Sequence, residues 1–532
     1  MTETTDPVKG LVAGYGAASP AWSWNATVGY GRPSVVTFAF VAAPGPGEWQ
    51  LSPLGAPARA AVRLALDAWA AACGVSFQEV TDTGNGGAAM LRFALDSSVP
   101  AGFAAWANLP TAGTDSSELG FKPDFDWNAA AAGNWLFEVM LHEIGHALGL
   151  KHPFDTVWGG SGYTLVPWLD DNQNTVMSYS NATGTYRATP GAFDTAAAGY
   201  LYGTDLAEQT DGITWSFDAA TQTLRFTGSA ARETIAGTHA RDVIVGGGGD
   251  DLLDGLLGDD RLYGGAGRDT LRGAKGSDLL NGGGGNDSLL GGEGRDTLEG
   301  GAGHDTLSGQ WGDDLVLARA DGDLLLADWN GSDTADYRRA PGPIHAVAMG
   351  GPDFLVLVTG GGGTDTIQGG YETLVGSGFG DLIELGAGSA VQVVRGGGGD
   401  DTVAGGPWRD VLVGGAGRDV FRCGAWWETG NTLATADVIR DFSVSTSTLP
   451  GAFVDRLDLS AIDAIPATPG DDAFVFRGTA GFTGAGQIRA QAVAAGTLLR
   501  LNLDADTTTT EAMILLKGFA DPALLQAADF LL

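Results

Sequence analysis

Aspartate returns at every ninth residue over one long stretch of this chain: Asp242, Asp251, Asp260, Asp269, Asp278, Asp287, Asp296, Asp305, Asp314 and Asp323. Two residues after each stands an apolar side chain, in order Ile244, Leu253, Leu262, Leu271, Leu280, Leu289, Leu298, Leu307, Val316 and Leu325, with glycines filling the turn before it, as in GGAGRDTLR. A period kept by both a charged and an apolar position specifies a stacked unit, a glycine-rich turn followed by a very short strand whose apolar residue faces inward. A disordered Gly/Asp-rich linker would need no apolar period. A second, shorter run carries Asp401, Asp410 and Asp419 with Val403, Leu412 and Phe421 in the apolar slots, and the segment between the two runs reads as irregular.

Turn carbonyls and Asp carboxylates of adjacent coils converge in such a stack, and calcium takes six or more hard oxygens. The units resemble the repeats-in-toxin (RTX) nonapeptide. That resemblance implies a right-handed parallel β-roll with several structural calcium ions, held by Asp242 through Asp314 in the first run and by Asp401, Asp410 and Asp419 in the second. Leu256, Ala274, Gln310 and Trp408 stand where glycine is expected, which predicts weak or empty sites at those turns. Composition agrees: 64 acidic residues against 29 basic give a net charge of -35, and the 86 glycines concentrate after about residue 228. This balance argues against nucleic acid or an anionic membrane surface as partner. Without cations the close-set carboxylates repel, so folding of the repeats is expected to be coupled to metal binding.

A different chemistry is written upstream. Three of the six histidines, His142, His146 and His152, fall in LHEIGHALGLKHP. The preceding NWLFEVM favours a helix, and a spacing of four puts His142 and His146 on one helical face, where both imidazoles can bind one metal. Glu143 is then placed to reach water at that metal without ligating it. Gly149 suits a left-handed C-cap that turns the chain so that His152 arrives as a third ligand. Three neutral imidazoles and an open position make a catalytic rather than a structural zinc site. The motif H-E-x-x-H-x-x-G-x-x-H is the metzincin form, which a methionine turn should follow. NTVMSYS supplies it, with Met177 under the expected metal and Tyr179 two residues later.

HEIGHALGLKHP followed by VMSY resembles the serralysin family. The resemblance implies one catalytic zinc on His142, His146 and His152, Glu143 as general base and acid in peptide hydrolysis, and Tyr179 as a switchable zinc ligand that stabilises the oxyanion. Upstream, PSVVTFAF and MLRFAL read as strands around an amphipathic helix in APARAAVRLALDAWAAACG, and GAFDTAAAGYLYG resembles the closing helix of the serralysin catalytic domain. Between residues 113 and 133 the Gly-rich, Asn-bearing strand usual in that family is not evident, so no substrate edge strand is assigned there.

The expected architecture is multidomain α+β: a tail or short propeptide over 1–30, a metzincin α/β zinc protease domain over 31–205, a first RTX roll over 206–335, an irregular segment with a second short roll over 336–430, and a β-rich C-terminal module over 431–532. The N-terminus shows no signal peptide, no run of 18 apolar residues spans a membrane, and Cys73 and Cys423 are too few for a disulfide framework. Asp529, Phe530, Leu531 and Leu532 resemble the uncleaved C-terminal signal of serralysins. The resemblance thus implies a monomeric extracellular protein, exported by a type I secretion exporter, acting on protein or peptide substrates, with a proteinaceous inhibitor as candidate partner. The competing reading is a calcium-binding RTX surface or adhesive protein whose protease-like domain is weakly active or inactive.

Overall fold

The computed structural model describes residues 2–4, 34–43, 48, 50–82, 88–108, 117–153, 163–165, 172–179, 184–202, 212–327, 330–349, 355–360, 362–385, 393–406, 409–423, 431–444, 454–466, 472–504, 506 and 508–532. They form two compact units, Met1–Asp278 and Leu279–Leu532.

In the first unit a mixed sheet is built from β1 (Ser34–Phe40), β2 (Leu51–Ser52), β3 (Val75–Glu79), β4 (Leu91–Asp96), β5 (Ala105–Ala107) and β6 (Ser117–Phe121), in the order β3-β1-β4-β6-β5 with β2 beside the end of β4. The β-branched and aromatic run SVVTFAF is buried along almost its whole length because β1 has parallel neighbours on both sides. β6 is the strand found between residues 113 and 133, neither Gly-rich nor Asn-bearing and not at the sheet edge: Ser117, Leu119 and Phe121 are buried, and a Cβ on Gly120 would lie 2.5 Å from Trp106 Nε1. The antiparallel edge strand is β5.

Helix α1 (Ala56–Ala70) starts with Pro57 in its first turn and buries Ala58, Ala61, Val62, Ala65, Leu66 and Trp69, a helical stripe that faces the sheet and α2 (Trp135–Ala147). Trp69 Nε1 donates to Leu141 O at 3.0 Å and ties the two helices together. One buried ion cluster crosses the sheet: Arg92, 1% exposed, pairs with Glu48 at 2.6 Å, Asp82 at 3.0 Å and Glu118 at 3.1 Å. Cys73 is a buried free thiol.

The first coils of the roll follow. Ile244 pairs in register with Leu262, and Leu253 with Leu271, so partners are eighteen residues apart and two nine-residue units make one coil. In the second unit the register continues as Leu280 with Leu298, Leu289 with Leu307, Leu298 with Val316 and Leu307 with Leu325. These apolar slots are at most 1% exposed. Leu256, Ala274 and Gln310 keep the left-handed backbone of the glycines they replace, with φ of 73°, 76° and 66°. The stack imposes that geometry, and Leu256 packs its side chain against the core of the first unit. Trp408 lies outside the described residues.

Within the segment read as irregular, the described residues include strands that carry both ladders on. One ladder continues through Ala335, Leu374, Val394 and Leu412. On the other, Leu325 pairs with Ile367, and the parallel run is interrupted by antiparallel strands Ile344–Ala348, Val356–Gly360 and Gly363–Gln368 before resuming through Ile383, Val403 and Phe421. An antiparallel meander, Gln487–Val493, Gly496–Asn502 and Ala512–Lys517, then closes one ladder against Asp437–Ile439. Phe530 closes the other by pairing with Leu457, and Asp529 accepts from Gln526 N at 2.7 Å. No helix among the described residues is long and apolar enough to cross a membrane.

Candidate metal centres

Asn134 caps α2 by accepting from Phe137 N at 3.0 Å, and the helix ends in a Schellman turn, with Leu150 N on Gly145 O at 2.9 Å and Gly149 N on His146 O at 2.8 Å. Gly149 adopts φ 94°, the left-handed conformation a side chain resists. The chain thereby reverses and brings His152 to the helix face that carries His142 and His146. Nε2 of His152 lies 3.1 Å from Nε2 of His142 and 3.1 Å from Nε2 of His146.

Each helical imidazole is fixed from behind. His142 Nδ1 donates to Val176 O and His146 Nδ1 to Leu150 O, both at 2.7 Å, so the lone pairs are on the Nε2 atoms and point at one another. Two lone pairs held this way, with the third imidazole's Nε2 3.1 Å from each, make a set that a cation can bridge. Zinc bonded to nitrogen at about 2.0–2.1 Å in a tetrahedron sets its ligands roughly 3.4 Å apart, close to what is found. Burial, and then the neighbouring imidazoles, push all three histidines down to about 3, which keeps them neutral and ready to ligate. Glu143 is 7% exposed on the same helix, and burial pushes its carboxyl up to about 8.

Met177 packs under the site: a Cβ on Gly145 would lie 2.5 Å from its Sδ, so the helix needs glycine there. Tyr179 is 62% exposed, its ring stacked on His142 at 5.3 Å and leaning on His152 at 4.6 Å. Sequence reasoning missed Asp194. This buried residue of α3 (Ala192–Tyr202) accepts from Thr175 Oγ1 at 2.5 Å and, at 2.8 and 2.6 Å, from the amides of Val176 and Gly191. It fixes the methionine turn, and burial lifts it to about 6 against those hydrogen bonds. Its sequence signal is a lone acid in the first turn of GAFDTAAAGYLYG.

The roll repeats one local device. Amides of periodic aspartates donate to Oδ1 of the Asp one coil on: Asp242 to Asp260, Asp251 to Asp269, Asp287 to Asp305 and Asp305 to Asp323, all at 2.8 Å. The second oxygen faces the glycine turn. Oδ2 of Asp251, Asp260, Asp305 and Asp401 is enclosed with no hydrogen-bond partner. A Cβ on Gly246 would lie 2.3 Å from Asp251 Oδ2 and 2.7 Å from Gly264 O, so carboxylate and carbonyl oxygens converge on a spot that only glycine leaves open. The same cradle recurs at Gly396 with Asp401 and Gly414. Burial raises Asp251 and Asp419 to about 6, Asp278 to about 7 and Asp401 to about 8. Hard oxygens in such cradles suit calcium.

Asp410 takes the same part, donating to Asp437 rather than to a periodic residue. Three further aspartates hold the slot without obeying the spacing: Asp333 accepts from Asp314 N, Asp365 from Asp323 N, and Asp381 donates to Asp401. The segments GSDTA, GTDTI and GDLI around them carry the signal that strict counting by nine discards.

Residues 50–157 match the family described as Matrixin, and residues 227–325 and 393–424 match the RTX calcium-binding nonapeptide repeat in overlapping blocks. The chain is similar to Serralysin A of Dickeya chrysanthemi, 29% identical over 40% of this chain and 48% of that protein, and to Serralysin of Proteus mirabilis, 28% identical over 40% and 49%. It is also similar to Metalloprotease AprA of Pseudomonas entomophila (strain L48), 28% identical over 30% and 36%. The chain thus spans about half the length of the curated relatives it matches most fully. A histidine trio on a helix and its Schellman turn, over a methionine turn and ahead of coiled aspartate cradles, is accounted for by these matches: the chain joins a matrixin domain to RTX calcium-binding repeats and is serralysin-like.

Proposed function

We propose that the chain is a zinc-dependent endopeptidase acting outside the cell. The observation that carries this reading is the convergence of the His142, His146 and His152 Nε2 atoms beside buried Glu143. Zinc there supplies a Lewis acid for the scissile carbonyl and for water. Glu143 takes the proton of the attacking water and delivers it to the leaving amine; its burial, which favours the protonated form, suits the second half of that task. Tyr179, whose ring rests on two of the three imidazoles, acts as switchable zinc ligand and oxyanion donor. The outer edge of β5, unpaired among the described residues, offers backbone groups to an extended peptide.

Asp242, Asp251, Asp260, Asp269, Asp278, Asp287, Asp296, Asp305, Asp314, Asp401, Asp410 and Asp419 hold structural calcium in this reading. The C-terminal segment ending Asp529-Phe530-Leu531-Leu532 addresses a type I exporter, and the calcium-rich exterior folds the repeats. A proteinaceous inhibitor is a further partner, and residues 1–30 form a tail or propeptide ahead of the catalytic domain. Casein hydrolysis by the chain refolded with zinc and millimolar calcium tests the proposal. Activity lost with a chelator supports it; calcium-dependent folding with no hydrolysis of casein or a broad peptide library replaces it with a calcium-binding surface protein.

A further inference from the structure

Where the parallel coil gives way to the antiparallel interruption, three carboxylates meet. One oxygen each of Asp321, Asp323 and Asp365 lies within 4.8 Å of the others. Asp323 and Asp365 are ladder neighbours although 42 residues separate them: Asp365 Oδ1 accepts from Asp323 N at 2.9 Å and from Gly322 N at 2.8 Å, and its Oδ2 accepts from Ala320 N at 3.0 Å. Asp321 is an addition to the repeat. Counting back from the periodic Asp, it stands where the preceding coils carry Gly303 and Gly312, so this turn places an extra carboxylate where others have none.

Two enclosed groups face the same spot. Asp321 Oδ1 is shut off from solvent with no hydrogen-bond partner. Tyr337 is wholly buried with its hydroxyl against Asp365, and after burial itself the Asp365 carboxylate does most to raise its pKa, ahead of Tyr371 and Asp323. Of the nearby basic groups, Arg319 is engaged elsewhere, 2.9 Å from Glu299, and the His304 ring lies 3.0 Å from Gly322 O. Asp323 is pushed up to about 8 by burial and then by Asp305, Asp321 and Asp365. Three like charges in a largely buried pocket are unfavourable unless a cation joins them.

We propose that Asp321, Asp323 and Asp365 form a calcium-type divalent-cation site, distinct from the glycine cradles, that fastens strand Gly363–Gln368 to the coil preceding the interruption. Hard oxygens from three carboxylates select calcium, and the higher ligand charge makes this site fill at lower calcium than the cradles. The proposal concerns the second unit alone and stands whether or not the chain is a peptidase.

The test counts calcium bound to the full zinc-loaded chain after equilibrium dialysis, by elemental mass spectrometry. Asp321→Asn is the decisive variant because Asp323 and Asp365 also serve the backbone ladder. The expected result is one calcium fewer per chain, with zinc content and the circular dichroism spectrum retained, and the last calcium released on chelator titration is the one missing. An unchanged count and release profile overturns the proposal. A second measurement needs no acidic substitution: terbium emission excited through tyrosine should fall in Tyr337→Phe, and emission equal to the unaltered chain at every terbium concentration counts against a cation at this place.

Discussion

His142 Nδ1 lies 2.7 Å from Val176 O, so the first imidazole of the trio is oriented by the turn beneath it, and that turn in turn hangs on Asp194. Asp194→Asn turns one of the two acceptor oxygens into an NH2 donor, so that either the Thr175 hydroxyl or the Val176 and Gly191 amides lose their acceptor. The expected cost is about 1–3 kcal/mol of stability for unsatisfied buried donors, and roughly 10–100-fold in zinc affinity for a disturbed outer shell. Chelator competition and urea unfolding measure the two.

Glu143→Ala should lower peptide hydrolysis by about 10²–10⁴-fold while leaving one zinc per chain, because Glu143 supplies proton transfer and none of the three nitrogens. Metal analysis beside a peptide assay separates this from zinc loss. Since burial disfavours its charged form, the metal-free variant should unfold at no lower temperature than the parent.

Arg92→Ala leaves Glu48 and Asp82 buried without their shared cation. A loss of about 3–5 kcal/mol follows, seen as an earlier midpoint in denaturant with calcium held saturating. A shift under 1 kcal/mol would mean that the cluster is solvated after all.

The repeats should respond to pH only when calcium is withheld. Asp251, Asp278, Asp401 and Asp419 have folded values raised above the usual carboxylate range, to about 6, 7, 8 and 6. A raised folded value means stability present at low pH and lost as pH rises through that value. In a calcium-selective chelator the rolls should therefore hold more structure near pH 5 than near pH 8, and calcium should abolish the difference. Far-ultraviolet circular dichroism at both pH values decides it.

Ala274→Gly relieves a side chain held at φ 76° and should stabilise the calcium-loaded chain by about 0.5–1 kcal/mol, the left-handed penalty less the added freedom of the unfolded chain. Thermal unfolding at saturating calcium is the check.

Much of this was legible in the residues. The helix, the Gly149 turn and the arrival of His152 follow from the spacing of one motif, because ligands four apart and a glycine cap are local facts. The coils were legible because Asp and Leu repeat together. What escaped depended on partners far along the chain. Ser117–Phe121 is a strand because β4 and β5 flank it, not because its own residues insist on one. Asp333, Asp365 and Asp381 escaped because insertions break the count of nine while the stack itself keeps its register. Asp194 carries no periodic signal, and its role exists only once α3 meets the methionine turn.

The ladder of amide-to-carboxylate bonds has a direction. Asp401 leans on Asp419 at 3.0 Å, but Asp410 and Asp419 lean on Asp437 and Asp455, which belong to no repeat. The last rungs thus rest on residues beyond the pattern, and a shortened chain that lacks Asp437 and Asp455 would leave the Asp410 and Asp419 amides without these acceptors.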